Sequence, residues 1–149
     1  MSLVNIFGVL KGQKQEVGVI SSADIISTAV GKFGHANGFT VVASPPANIF
    51  LVLLDFELVY DFSVAAYTAG GNITVNYTGG SAITGLISAA NSVGAATDKF
   101  VSLVPLATAG INVSLATGIS LVSSAAFTNP GTAAGIIRYT CTYRTVLGL

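Results

Sequence analysis

The chain has 149 residues, 52% of them hydrophobic and only 8% charged, with six basic residues balancing six acidic ones. That length suits one domain with a sizeable core, and the balanced charge offers no electrostatic footprint for nucleic acid or an anionic membrane surface. The longest unbroken apolar run, Ile49–Leu54, is far shorter than the ~20 residues of a spanning helix.

At the amino terminus "LVNIFGVL" (3–10) holds six apolar side chains in eight positions and precedes the polar "KGQKQE". The lysines follow the apolar residues, the wrong order for a secretory signal. Residues 1–16 are therefore expected to be an arm that needs a docking surface, with Leu3, Ile6, Phe7 and Leu10 as contacts to a neighbouring subunit or another partner, and residues 17–149 a single β-sandwich domain. His35, the sole histidine, sits in the glycine-rich "GKFGHANG" and reads as a turn residue, because zinc needs several convergent ligands.

"GFTVVAS" (38–44) reads as a strand stopped by Pro45 and Pro46, which remove two backbone donors. "NIFLVLLDFELVYDF" (48–62) is a long central strand, apolar on both faces at its start and alternating later. Gly70 and Gly71 predict a tight reversal into a hairpin partner for it, with Ile73, Val75 and Tyr77 on one face and Asn72, Thr74, Asn76 and Thr78 on the other. Beyond Gly79 and Gly80, the spacing of Ile83, Leu86, Ile87 and Ala90 predicts a short helix. "FVSLVPL", "INVSLA" and "ISLVSS" are further strands. The last, "GIIRYTCTYRTV", sets Ile137, Tyr139, Cys141 and Tyr143 against Arg138, Thr140, Thr142 and Arg144. About eight short strands divided by tight turns predict an all-β fold: an antiparallel β-sandwich, jelly-roll-like, with one short helix in the middle.

Asp55, Glu57 and Asp61 fall on one face of the central strand, where they could be a calcium site, an acid/base site or the polar side of a sheet. Calcium wants six to eight oxygens from a compact loop, whereas these acids spread along some 20 Å of strand. Structural cross-strand ion pairs with Arg138 and Arg144 are the simpler reading, and they fix register because a one-residue slip would turn acids into the core. Cys141 reads as a small buried apolar residue. With no nucleophile elbow and no lysine in a phosphate-cradling loop, no enzyme activity, metal or other cofactor is expected. The sequons at Asn72, Asn76 and Asn112 read as polar strand positions.

The stretch "FTVVASPPANIFLVLLDFELVYDFSVAAYTAGGNITVNYTGG", with "NPGTAAGIIRYTCTYRTV" near the end, resembles small structural proteins of tailed bacteriophages and prophages, including capsid decoration (cement) proteins. The resemblance covers roughly residues 38–80 and 128–146. It implies a non-enzymatic virion protein on the phage head surface, made in the host cytoplasm, whose partners are the major capsid protein and copies of itself in a trimer. The sparse charge independently favours a homo-oligomer, since obligate interfaces resemble a domain core cut in half. The alternative is a tail or head-fibre base component, or a carbohydrate-binding adhesion module.

Overall fold

The predicted central strand is the longest in the molecule, β3 (Ile49–Asp61), and the rest is arranged around it. The computed structural model describes residues 12–106, 115–129, 131 and 135–148. In chain order these form β1 (Gln13–Ile20), α1 (Ser22–Ile26), β2 (Phe39–Val42), β3, β4 (Ile73–Tyr77), a 3₁₀ turn (Ala89–Asn91), β5 (Lys99–Leu103), β6 (Ile119–Ser123) and β7 (Ile136–Leu147). A four-stranded sheet, β1-β7-β3-β5, packs on a three-stranded sheet, β2-β6-β4, and every ladder is antiparallel. The chain is thus an all-β sandwich, as its strand spacing predicted.

Between the sheets lies one apolar core. Leu51, Leu53, Phe56, Leu58 and Tyr60 of β3 and Ile137, Cys141 and Tyr143 of β7 enter it from one side, and Ile73, Val75, Tyr77, Ile119 and Leu121 from the other. Inward positions are odd-numbered up to Leu53 and even-numbered from Phe56. The β3–β7 ladder shifts register between Leu53 and Asp55, so Leu54 is the extra residue of a β-bulge. That bulge, as well as burial, explains why "IFLVLL" shows no alternation. The Tyr77 hydroxyl donates to the Leu51 carbonyl at 2.7 Å, tying one layer to the other.

Three expectations change. First, β1 starts inside the stretch assigned to the arm: Gln13 pairs with Arg144 and Glu16 with Cys141, so residues 13–16 belong to the four-stranded sheet. Their polarity reflects an edge strand whose first five residues are exposed, not part of an arm. Leu3, Ile6, Phe7 and Leu10 lie outside the described residues, as do 111–114 of the expected strand "INVSLA".

Second, β4 is not a hairpin partner of β3; it pairs with β6 in the other sheet. The intervening chain crosses between layers, and its glycines allow close approach rather than a reversal, since a Cβ on Gly70 would collide with the Phe127 ring.

Third, the segment around Ile83 is extended. Ile83 N–H donates to the Val75 carbonyl at 2.8 Å, Val75 N–H to Thr84 Oγ1 at 3.0 Å, and Ile73 and Ile87 exchange two backbone bonds at 2.8 and 2.9 Å. Residues 82–87 therefore cover the edge of β4, and the Leu106 N–H in turn donates to the Ile83 carbonyl at 3.0 Å. Ile83 is buried and Leu86 exposed, so the apparent helical spacing marks occasional inward anchors on an irregular strand. Only the end of the predicted helix, at Ala90, falls in a helical turn, the 3₁₀ turn Ala89–Asn91, and the α-helix lies elsewhere. In α1 the Asp24 N–H donates to Ser21 Oγ at 3.2 Å, an N-cap, and Lys32 pairs with Asp24 at 2.6 Å. The hydrogen bond from Lys32 holds the Asp24 carboxyl below its usual range.

Candidate functional site

The outward face of the four-stranded sheet collects all five residues singled out for ion pairing. Its rows follow from the ladders: Gln13, Arg144 and Val52; Gln15, Thr142 and Asp55; Val17, Thr140, Glu57 and Ser102; Val19, Arg138, Val59 and Phe100. Carboxylates stand only on β3, at Asp55, Glu57 and Asp61. The arginine and threonine donors stand only on β7, at Arg138, Thr140, Thr142 and Arg144. This segregation follows from the two sequences, because β3 from Asp55 onward sets acids against apolar residues and β7 alternates Arg or Thr with Ile, Tyr or Cys.

Arg138 Nη2 lies 3.3 Å from Asp61 Oδ2, with both side chains about half exposed. Asp55 Oδ1 accepts a long bond from Ser102 Oγ at 3.4 Å. Arg144 sits opposite Val52 rather than an acid, and neither it nor Glu57 has an ion pair among the described residues. The three acids do not converge. Among the described residues no group of three His, Cys, Asp or Glu side chains is placed to hold a metal. The exposed pair that does form is worth about 0–1 kcal/mol, so it sets register more than stability.

Large apolar side chains share this face. Phe100 is 65% exposed, Val17 68%, Val19 48% and Val59 37%, and the last three contribute to a row or its neighbour across the sheet. A shallow depression of about 90 Å³ is lined by Val17, Glu57, Val59, Arg138, Tyr139 and Thr140. A broader one of about 470 Å³ lies by the bulge, against Gln13, Leu54, Arg144 and Val146. The outward placement of Phe100 was not legible, because in "KFVSLV" both faces carry apolar residues.

The remaining candidates are structural. Cys141 is fully buried, and burial first, then the Glu16 and Asp55 carboxylates, pushes its thiol up to about 12. His35 Nδ1 accepts the Asn37 N–H at 3.0 Å within its turn. Asn76 accepts from Thr74 Oγ1 at 2.6 Å and donates to the Gly80 carbonyl at 3.1 Å, and Asn112 lies outside the described residues. Tyr60, also fully buried, has a hydroxyl with no hydrogen-bond partner among the described residues, and burial raises it to about 12.

No family model matches the chain, and no curated protein or solved structure matches it significantly.

Proposed function

We propose that this chain is a non-enzymatic virion structural protein, a decoration or cement protein that binds the assembled head of a tailed phage and stabilises it. The observation that carries this reading is strand order. Counting residues 82–87, which make isolated bridges to β4, as the fifth of eight strands gives the orders first-eighth-third-sixth and second-seventh-fourth-fifth, which supports reading the sandwich as a jelly roll. That architecture recurs in viral capsid and lectin domains and in cupins. Fold alone does not assign a role; the sequence resemblance to phage decoration proteins selects among those uses. The space between the sheets is filled by large side chains such as Phe56, Leu58, Tyr60 and Leu121, which favours an adhesive body over a ligand-holding barrel.

Its partner is the major capsid protein. Copies that bind only the assembled shell raise shell stability by linkage, by an amount that grows with the logarithm of free concentration over Kd at each site. Electron microscopy of the virion that carries this chain tests the proposal: density for the sandwich should decorate the outer head surface, and heads lacking it should disrupt at lower temperature. Density on the tail or at a fibre base, with none on the head, refutes it.

A further inference from the structure

We infer that the outward face of the four-stranded sheet is a two-fold interface with a second copy of this chain. The inference is independent of the decoration reading, and it replaces the three-fold symmetry implied by resemblance with a two-fold one.

The argument starts from the segregation of donors and acceptors. Every carboxylate of the face stands on β3, and its arginine and threonine donors stand on the adjacent β7. A two-fold axis lying in the interface, parallel to the strands and midway between β7 and β3, exchanges those two strands between copies. Each row then meets its own reverse. Thr140 faces Glu57 of the second copy and Thr142 faces Asp55, so each hydroxyl can donate to a carboxylate: Glu57 has no ion pair among the described residues of its own chain, and Asp55 only the long bond from Ser102. Arg138, in the next row, lies between the diagonals to Glu57 and Asp61 of the other copy. At the margins Val19 faces Phe100 and Phe100 faces Val19, and two pairs of exposed apolar side chains leave water together. No other axis in the plane parallel to the strands gives each strand a complement of opposite character.

Size agrees. The four strands hold 8, 12, 13 and 5 residues; at about 4.8 Å between strands and 3.3 Å per residue they project roughly 600 Å². Accessible area exceeds projected area, which brings the face to the ~800 Å² per partner of a standard interface. A face with three carboxylates and two arginines interleaved with valines offers little to a polyanion and no deep cleft for a small molecule. A copy of itself is the occupant whose charges match.

Sedimentation velocity of the full chain across the micromolar range tests this. The wild type should run as a dimer. Phe100→Glu, at a position exposed in the single copy, should keep the β-rich circular dichroism spectrum and weaken dimerisation by about 100-fold. Thr140→Glu should dissociate the dimer by setting carboxylates against Glu57, and adding Glu57→Arg should restore it. A wild type that is monomeric or trimeric overturns the inference, as does a dimer indifferent to Phe100→Glu or a double variant that fails to reassociate. A monomer whose Phe100→Glu variant loses attachment to heads gives the face to the capsid protein and also overturns it. A dimer that never binds heads leaves this interface standing and refutes the decoration reading instead.

Discussion

The two outward faces of the sandwich solve the same problem differently. On the three-stranded sheet the outward side chains are short and satisfy one another: Thr74 donates to Asn76 at 2.6 Å, Thr78 and Ser120 share a bond of 2.6 Å, and Asn76 closes onto Gly80. On the four-stranded sheet donors and acceptors are sorted onto separate strands, Glu57 and Arg144 have no ion pair among the described residues, and Phe100 stands in water. One face closes its hydrogen bonds within the chain, and the other leaves groups that the inferred second copy would meet. Polar residues on a strand therefore do not by themselves mark a solvent face; what matters is whether their hydrogen bonds close locally.

The comparison can be broken at the layer both faces share. Phe56→Ala removes a fully buried ring stacked 6.0 Å from Tyr139, and thermal or urea unfolding should show a loss of about 3–5 kcal/mol. Gly38→Ala comes next. Gly38 has φ +71°, and a Cβ there would collide with the Leu121 carbonyl in the centre of the three-stranded sheet, so a loss of about 2 kcal/mol or more is expected in the same assay. Tyr77→Phe leaves the Leu51 carbonyl without its donor and should cost about 1–2 kcal/mol with little change in spectrum. Asp61→Asn on the open face should change monomer stability by no more than about 0.5 kcal/mol, since its ion pair is exposed. Smallest of all, EDTA should leave the melting temperature unchanged; a fall reversed by calcium would reinstate the metal reading of Asp55, Glu57 and Asp61.

High pH sharpens the picture of the core. Burial raises all five tyrosines and Cys141, with Tyr60 and Cys141 each at about 12 against ordinary values of 10.0 and 9.0. Because the folded chain holds these protons longer than the unfolded one, their contribution is intact below about pH 9 and is lost as pH rises toward about 12. Phenolate absorbance should therefore appear late and together with loss of β structure. Early, independent titration of Tyr60 would contradict its burial.

What the sequence disclosed depended on contrast. After Asp55 the central strand alternates acid with apolar, and the last strand alternates Arg or Thr with Tyr, Ile or Cys, so their faces and the gathering of Asp55, Glu57, Asp61, Arg138 and Arg144 on one surface were legible. Where contrast failed, so did the reading. Leu54 is one leucine among several and gives no sign of a bulge. "QKQEVGVI" is an edge strand whose polar start reads as the end of an arm. Gly70 and Gly71 read as a turn, yet serve close packing against Phe127 and Ser124. The pairing of β4 with β6 is a long-range choice made by the core, which no local signal specifies.

The hydrogen bonds from residues 82–87 to β4 on one side and from Leu106 to Ile83 on the other seal one margin of the sandwich, whereas no ladder joins β1 to β2 at the opposite margin. The molecule is bound like a book, with a spine and a fore-edge. Low-energy excursions should open at the fore-edge, so amides of Phe39–Val42 exchange with solvent sooner than those of Ile73–Tyr77, although both strands flank the same β6.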